Sequence, residues 1–330
     1  LAGQGASLLG YAPETSPSNR DYPGCDDRIS QLAAEMWNGM DGVSVTERRY
    51  GKGCIFCGIG IQEALSRLGV GPDLIIPAIP QEILFTHRVG DGFEFYFLSN
   101  QSENAVSGTF GFDVADRQPE LWNAETGEIR DLPLFEQRAG RTYVPLEFGP
   151  ADSWFIVFRK RVVVSNSGSD TNFPAFRKLQ EINCNWNVTF HPVYDAAREM
   201  TFGELTDWTR NDDPYIRHFS GTATYKTNFE YRAGTEKNVW LDLGTVHALA
   251  DVTLNGQPFR TLWRPPYRVN ISEVLKEGYN TIEVVVTNCW LNRLIGDLQF
   301  GARKYTWAPY VDWNAETPLL PSGLIGPVTL

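Results

Sequence analysis

The sequence predicts a mainly β, multidomain protein: a partial α/β segment, then a small antiparallel β-sandwich, then a longer all-β block. Three observations lead there. Helical spacing of apolar residues dominates the first 73 positions, apolar and polar residues alternate from Leu74 onward, and one polar stretch, SNSGSDTN at Ser165 to Asn172, interrupts the alternation. With 330 residues the chain exceeds what a single hydrophobic core ordinarily holds, and 42% hydrophobic with 21% charged residues is an ordinary folded composition. The expected organisation is residues 1–73 as a partial α/β domain of flavodoxin or amidotransferase type, 74–160 as a sandwich, 161–172 as a linker and 173–330 as a second sandwich.

In the first segment, Ile29, Leu32, Ala33, Met36 and Trp37 form an i, i+3, i+4, i+7 stripe, which predicts a helix from Asp26 to Asn38. Asp26 is the expected cap and Gly39 the expected stop. A strand at Cys54 to Cys57 and a helix from Ile61 to Leu68, ended by Gly69, follow. So few strands cannot complete a doubly wound sheet, so this reads as the tail of an α/β domain. The opening LAGQGASLLG, without Met, suggests a fragment or a processed chain, for which the lack of a signal peptide is uninformative. Cys54 and Cys57 in CIFC look like half of a zinc or redox motif, but no second pair or histidine follows at suitable spacing. Their apolar setting between glycines reads as a buried strand with core thiols.

In the second segment, Phe93, Phe95 and Phe97 alternate with Glu94, Tyr96 and Leu98, the period of a strand. Further strands are expected at Val106 to Val114, Glu120 to Trp122, Thr142 to Leu146 and Trp154 to Arg159, with a turn at Gly127 in NAETGEIRD. The third segment has strand patterns at Asn187 to Phe190, Gly221 to Phe229, Lys237 to Asp242, Ala248 to Leu254 and Thr281 to Thr287. Ala248, Ala250, Val252 and Leu254 share one face, Asn255-Gly256 predicts a tight hairpin, and Ile282, Val284 and Val286 form another inward row. Ser272 is expected to cap a helical turn through Leu275, closed by Gly278.

A net charge of -11 argues against nucleic acid, which needs a concentrated basic surface, and no apolar run approaches the roughly 18 residues of a membrane helix. Aromatic residues reach 13%, which suits either stacking on sugar faces or a sandwich core. Asn100, Asn187 and Asn270 begin N-x-S/T triplets that matter only where the source glycosylates.

The run GTATYKTNFEY, followed by VWLDLGTVHALADVTLNGQPFRTLWRPPYRVNISEVLKEGYNTIEVVVTNCWLNRLIGD, resembles the sugar-binding β-sandwich of family 2 glycoside hydrolases. The order of its parts is specific: LDLG, LNG, a PYR loop, then LKEGYNTIEVVVTN. WLNRLIGD with PLLPSGLIGPVTL, and upstream RQPELWNAETGEIRDLPLF and TERRYGKGCIFCG, resemble the C-terminal region of glycoside hydrolase family 106, the α-L-rhamnosidases. That resemblance implies a galactose-binding-like jelly-roll for the last block, a glycan partner, and a periplasmic or extracellular location. It also implies a catalytic barrel, N-terminal in the same polypeptide, holding the catalytic carboxylates and any calcium. No cofactor and no catalytic residue is expected in this chain itself.

Glycoside hydrolysis needs two carboxyl groups across a cleft, and Glu120, Glu125, Glu128, Asp207, Asp212, Asp213 and Asp297 are available, though most carboxylates are simply solvated. His87, His191, His218 and His247 lack metal-site spacing. There is no GxSxG elbow, and GIGIQEALSRLG does not meet GxGxxG spacing. The leading carbohydrate-binding candidates are Trp290, Asn292, Arg293 and Asp297, expected in a loop after a core strand, with an Arg293–Asp297 ion pair as the structural alternative. Trp263, Arg264, Tyr267 and Arg268 in LWRPPYR are expected beside them, and Trp307, Tyr310 and Trp313 form a further aromatic group. Each set suits a sugar platform or an interdomain seam.

Overall fold

A computed structural model describes residues 1–77, 82–162, 171–193, 195–236 and 238–330; most of the stretch expected as a linker, 163–170, lies outside them. The chain divides into two compact units, one of residues 1–75, 111–115 and 139–141, the other of residues 76–110, 116–138 and 142–330. Most of the first sandwich and all of the second belong to the second unit.

The first unit is built on a three-stranded sheet with Gly53–Phe56 in the middle, parallel to Leu8–Leu9 and antiparallel to Glu47–Tyr50. Ile55 and Phe56 are buried there, as is Cys57, whereas Cys54 is half-buried, and both thiols are free. Gly53 is required, since a Cβ would meet the Ala6 carbonyl oxygen at 2.1 Å. The first helix runs Gly24–Met36, two residues earlier than the periodicity predicts. Asp26 therefore lies inside the first turn and caps nothing; its carboxylate accepts from the Ser16 amide at 2.8 Å. The second helix, Ile61–Arg67, stops before Gly69, whose φ of 71° suits glycine. Asp41 accepts from the amides of Val43, Ser44 and Val45, which lower its pKa to about 2.

In the first sandwich, the larger sheet runs Ile83–Val89, Glu94–Asn100, Ser153–Arg161, Arg117–Trp122, Ile129–Asp131, all antiparallel. Val106–Phe112 and Arg141–Phe148 are adjacent strands of the facing sheet. Alternation left open which row of Glu94–Asn100 faces inward. Register settles it: Tyr96 pairs with Ile156, and Tyr96, Leu98 and Asn100 enter the core, while Phe95 and Phe97 pack around Phe155 on the other face at 5.6 and 4.8 Å. Asn100, the first of the triplets, is buried and donates to the Asn104 and Gly149 carbonyls, so it is closed to modification.

The second sandwich rests on a six-stranded antiparallel sheet ordered Arg198–Phe202, Trp186–His191, Thr222–Tyr231, Gly278–Thr287, Leu249–Leu254, Gln257–Pro258. Ala250, Val252 and Leu254 lie beside Ile282, Val284 and Val286, all essentially inaccessible to solvent. Each large aliphatic side chain so buried contributes about 1.5–3 kcal/mol. Short pairs, Trp240–Asp242 with Arg268–Asn270 and Thr245–His247 with Gly323–Gly326, accompany it. Asn255 and Gly256, with φ of 52° and 84°, make the expected hairpin turn. Ser272 behaves differently from expectation. Residues 272–274 form only a turn, and the Ser272 hydroxyl accepts from the Val239 amide at 2.8 Å, capping a neighbouring segment rather than its own. No helix among the described residues is long and apolar enough to cross a membrane.

Candidate carbohydrate-binding site

The strand Gly278–Thr287 ends at Asn288, whose side chain accepts from the Gly221 amide and donates to the Phe219 carbonyl, each at 2.9 Å. The chain then forms the short helix Leu291–Gly296, where a loop was expected. The helix sorts the candidates by face. Asn292 turns inward, donates to the Leu320 carbonyl and Ser322 hydroxyl at 2.7 and 3.0 Å, and accepts from the Leu320 amide at 2.8 Å. It holds the C-terminal segment in place and is not free for a ligand. Trp290, 46% exposed, and Arg293 line a crevice with Tyr215, Phe219, Tyr305 and Asp195.

Asp297 fastens this arrangement. One carboxylate oxygen accepts from Arg293 Nε at 2.8 Å; the other accepts from the amides of Tyr305 and Thr306 and from the Thr306 hydroxyl at 2.9, 2.7 and 2.6 Å. Burial raises its pKa, but the Thr306 hydroxyl, the two amides and Arg293 together outweigh that and lower it. The Arg293–Asp297 ion pair expected as the structural alternative to sugar binding is present, and both carboxylate oxygens are engaged within the chain. The bond to Tyr305 fixes its ring beside the crevice, with the Arg293 and Arg303 guanidinium carbons 5.4 and 4.9 Å from the ring centre.

The opposite wall comes from the short helix Pro214–Arg217, whose Asp213 cap accepts from the Tyr215 amide at 2.9 Å and whose Pro214 suits the first turn. Arg198 lies 3.6 Å over the Tyr215 ring. The Tyr215 hydroxyl is buried without a hydrogen-bond partner among the described residues, and burial, foremost, raises its pKa. The crevice thus combines ring faces and a guanidinium, a set suited to a sugar's C–H face and hydroxyl rim. Sequence reasoning missed Tyr215, Phe219, Tyr305 and Asp195; the Asp213-Pro214 helix start was the signal that could have placed Tyr215.

LWRPPYR does not join this crevice. Arg264 bonds Glu125 and Asp152 of the first sandwich, each at 2.8 Å, and Arg260 also pairs with Glu125. Tyr267 is buried and donates to the Ala248 carbonyl at 2.9 Å, while Arg268 pairs with Asp242 at 2.6 Å. Trp263 remains 57% exposed. Trp307 and Tyr310 are 84% and 72% exposed, Trp313 is half-buried, and none of them lines the crevice.

The other carboxylates have local duties. Asp207 accepts from the Thr209 and Ser322 amides. Glu120 is fully buried yet paired with Arg159 and Lys160 at 2.6 and 2.5 Å; burial raises its pKa, and those hydrogen bonds and charges lower it overall. Among the described residues no cluster of three or more His, Cys, Asp or Glu is placed to hold a metal ion.

The second unit thus places a sandwich built on a six-stranded antiparallel sheet after a smaller one. Comparison with known proteins identifies its kind. Residues 1–137 match the model of the alpha-L-rhamnosidase family, glycoside hydrolase family 106, and residues 182–317 match the galactose-binding-like domain of glycosyl hydrolase family 2. The chain is therefore a glycoside-hydrolase-related polypeptide that joins a rhamnosidase-family region to a galactose-binding-like domain. Its whole length superimposes on a rhamnosidase from Novosphingobium sp. PP1Y with 36% identity and a TM-score of 0.86, covering 31% of that chain. Over 172 residues it is 35% identical to a protein of Formosa agariphila named for an inferred beta-glucuronidase activity, covering 44% of this chain and 15% of that one. The chain thus spans under a third of the length of either relative.

Proposed function

We propose that this chain is the non-catalytic, glycan-binding accessory region of a larger glycoside hydrolase. Its Trp290 crevice takes a terminal sugar of the substrate, and the bond-breaking carboxylates belong to a barrel N-terminal in the same polypeptide. The observation that carries this reading is the crevice itself, where Trp290, Arg293, Tyr305 and Tyr215 converge. The engagement of Asp297, Asp207, Asp213, Glu120 and Glu125 by neighbouring donors supports the non-catalytic part. Identity of 36% to a rhamnosidase across the whole chain supports a terminal α-L-rhamnoside as the parent's substrate, and with it hydrolysis of an O-glycosidic bond. The same family resemblance supports a periplasmic or extracellular setting, with any calcium belonging to the proposed barrel.

A second reading, a scaffold for the barrel, is favoured by Trp307 and Tyr310, whose exposure suits a covered seam. One experiment separates the two. Calorimetric titration of the chain with an α-L-rhamnose-terminated oligosaccharide is expected to show binding that Trp290→Ala removes without changing Tm. An absence of binding favours the scaffold. Turnover of an aryl rhamnoside by the chain alone, abolished by one carboxylate substitution, contradicts the non-catalytic assignment.

A further inference from the structure

We propose that the cleft between the two sandwiches of the second unit is a binding site for a neutral oligosaccharide, separate from the Trp290 crevice. The cleft has a volume of about 710 Å³ and shares Pro174, Phe176, Trp240 and Arg268 with an adjoining groove of about 780 Å³. Small-molecule sites typically measure about 300–1,000 Å³, so this continuous concavity has room for several sugar rings, which the crevice lacks.

Two aromatic pairs form its walls. Trp154 and Phe173 lie with ring centres 6.3 Å apart, and Phe176 meets Trp240 edge-on at 5.6 Å. None of the four is fully buried, and Phe176 is 50% exposed. Flat rings left half-open inside a concavity, rather than packed in a core, are what the C–H faces of pyranoses stack against.

Charge selects among ligands. Four arginines, Arg130, Arg260, Arg264 and Arg268, and four carboxylates, Glu125, Glu128, Glu147 and Asp152, line the cleft, so its lining carries no net charge. Arg264 and Arg260 are committed to Glu125 and Asp152, and Arg268 to Asp242. An anionic sugar, a phosphate or a nucleic acid would find no uncompensated cation. A neutral hydroxyl-rich chain would find fixed donors and acceptors whose charges are already balanced. The same ion pairs tie Glu125 and Asp152 of one sandwich to Arg260 and Arg264 of the other, so the walls are set before a ligand arrives, which lowers the cost of binding.

The test is calorimetric titration of the whole chain with cellohexaose, xylohexaose and β-1,4-galactohexaose, and with hexagalacturonate as the acidic counterpart. At least one neutral hexasaccharide is expected to bind. Trp240→Ala and Phe176→Ala should each weaken that binding about tenfold, the loss of one ring contact, while Trp290→Ala leaves it unchanged. Phe176 is half-exposed, so its variant keeps the test valid if Trp240→Ala unfolds. Failure of all three neutral sugars to bind, equal or tighter binding of hexagalacturonate, or unchanged affinity in Phe176→Ala overturns the proposal. Loss of binding in Trp290→Ala alone would assign the sugar to the crevice, overturning the cleft while leaving the accessory function intact.

Discussion

NCWLNRLIGD and LWRPPYR look alike as sequences, each setting a tryptophan beside an arginine near the end of a β-rich stretch, yet the fold uses them oppositely. In the first, Arg293 binds a carboxylate four residues away, so the ion pair closes a local unit and leaves Trp290 at the mouth of a crevice. In the second, Arg264 reaches Glu125 and Asp152 far away in sequence, and Trp263 stays outside both the crevice and the cleft. An arginine's role is thus decided by where its carboxylate partner sits. A local pair shapes a surface, and a distant pair joins two bodies.

The comparison is sharpened first at Asn292. Its buried side chain satisfies three groups, so Asn292→Ala should cost about 3 kcal/mol in urea unfolding, with a cost below about 1 kcal/mol contradicting its anchoring role. Arg264→Ala comes next. It leaves Glu125 without one partner and Asp152 without its cation, and should cost about 2 kcal/mol while speeding proteolysis between the sandwiches; Arg264→Lys should recover only part. Binding at the crevice should survive both Arg264 variants.

Asp297 gives a pH signature. Its folded pKa lies below the unfolded value, so it contributes stability that is complete well above the unfolded value of about 3.9 and is lost as pH falls through the folded one. The stability gap between the unaltered chain and Asp297→Asn should therefore narrow between about pH 6 and about pH 3, as read from urea midpoints. A gap independent of pH would break the link between the carboxylate and the crevice. Trp263→Ala, at an exposed position, should shift stability by less than about 0.5 kcal/mol.

Much of the architecture could be read from the sequence because alternation in Leu249–Leu254 and Gly278–Thr287 is strict and both strands bury one face. The short strands Leu8–Leu9 and Glu47–Tyr50 went unseen, since two to four residues carry no usable period. For Glu94–Asn100, period alone could not tell Phe95 from Tyr96; only the partner strand decides which row is inside. At the site, the residue types were visible but their assembly was not. Trp290 and Arg293 were named, whereas Tyr215, some 75 positions earlier, meets them only through the capped turn at Asp213. Asn292 read as a ligand-binding amide, and nothing local revealed that Leu320 and Ser322 would claim it.

Indole resonances of the tryptophans, followed by NMR during titration with an α-L-rhamnose-terminated oligosaccharide, test the contrast most directly. The Trp290 signal should move in proportion to saturation while that of Trp263 stays fixed. Movement of Trp263 with Trp290 unperturbed would contradict the assignment of the crevice as the binding site.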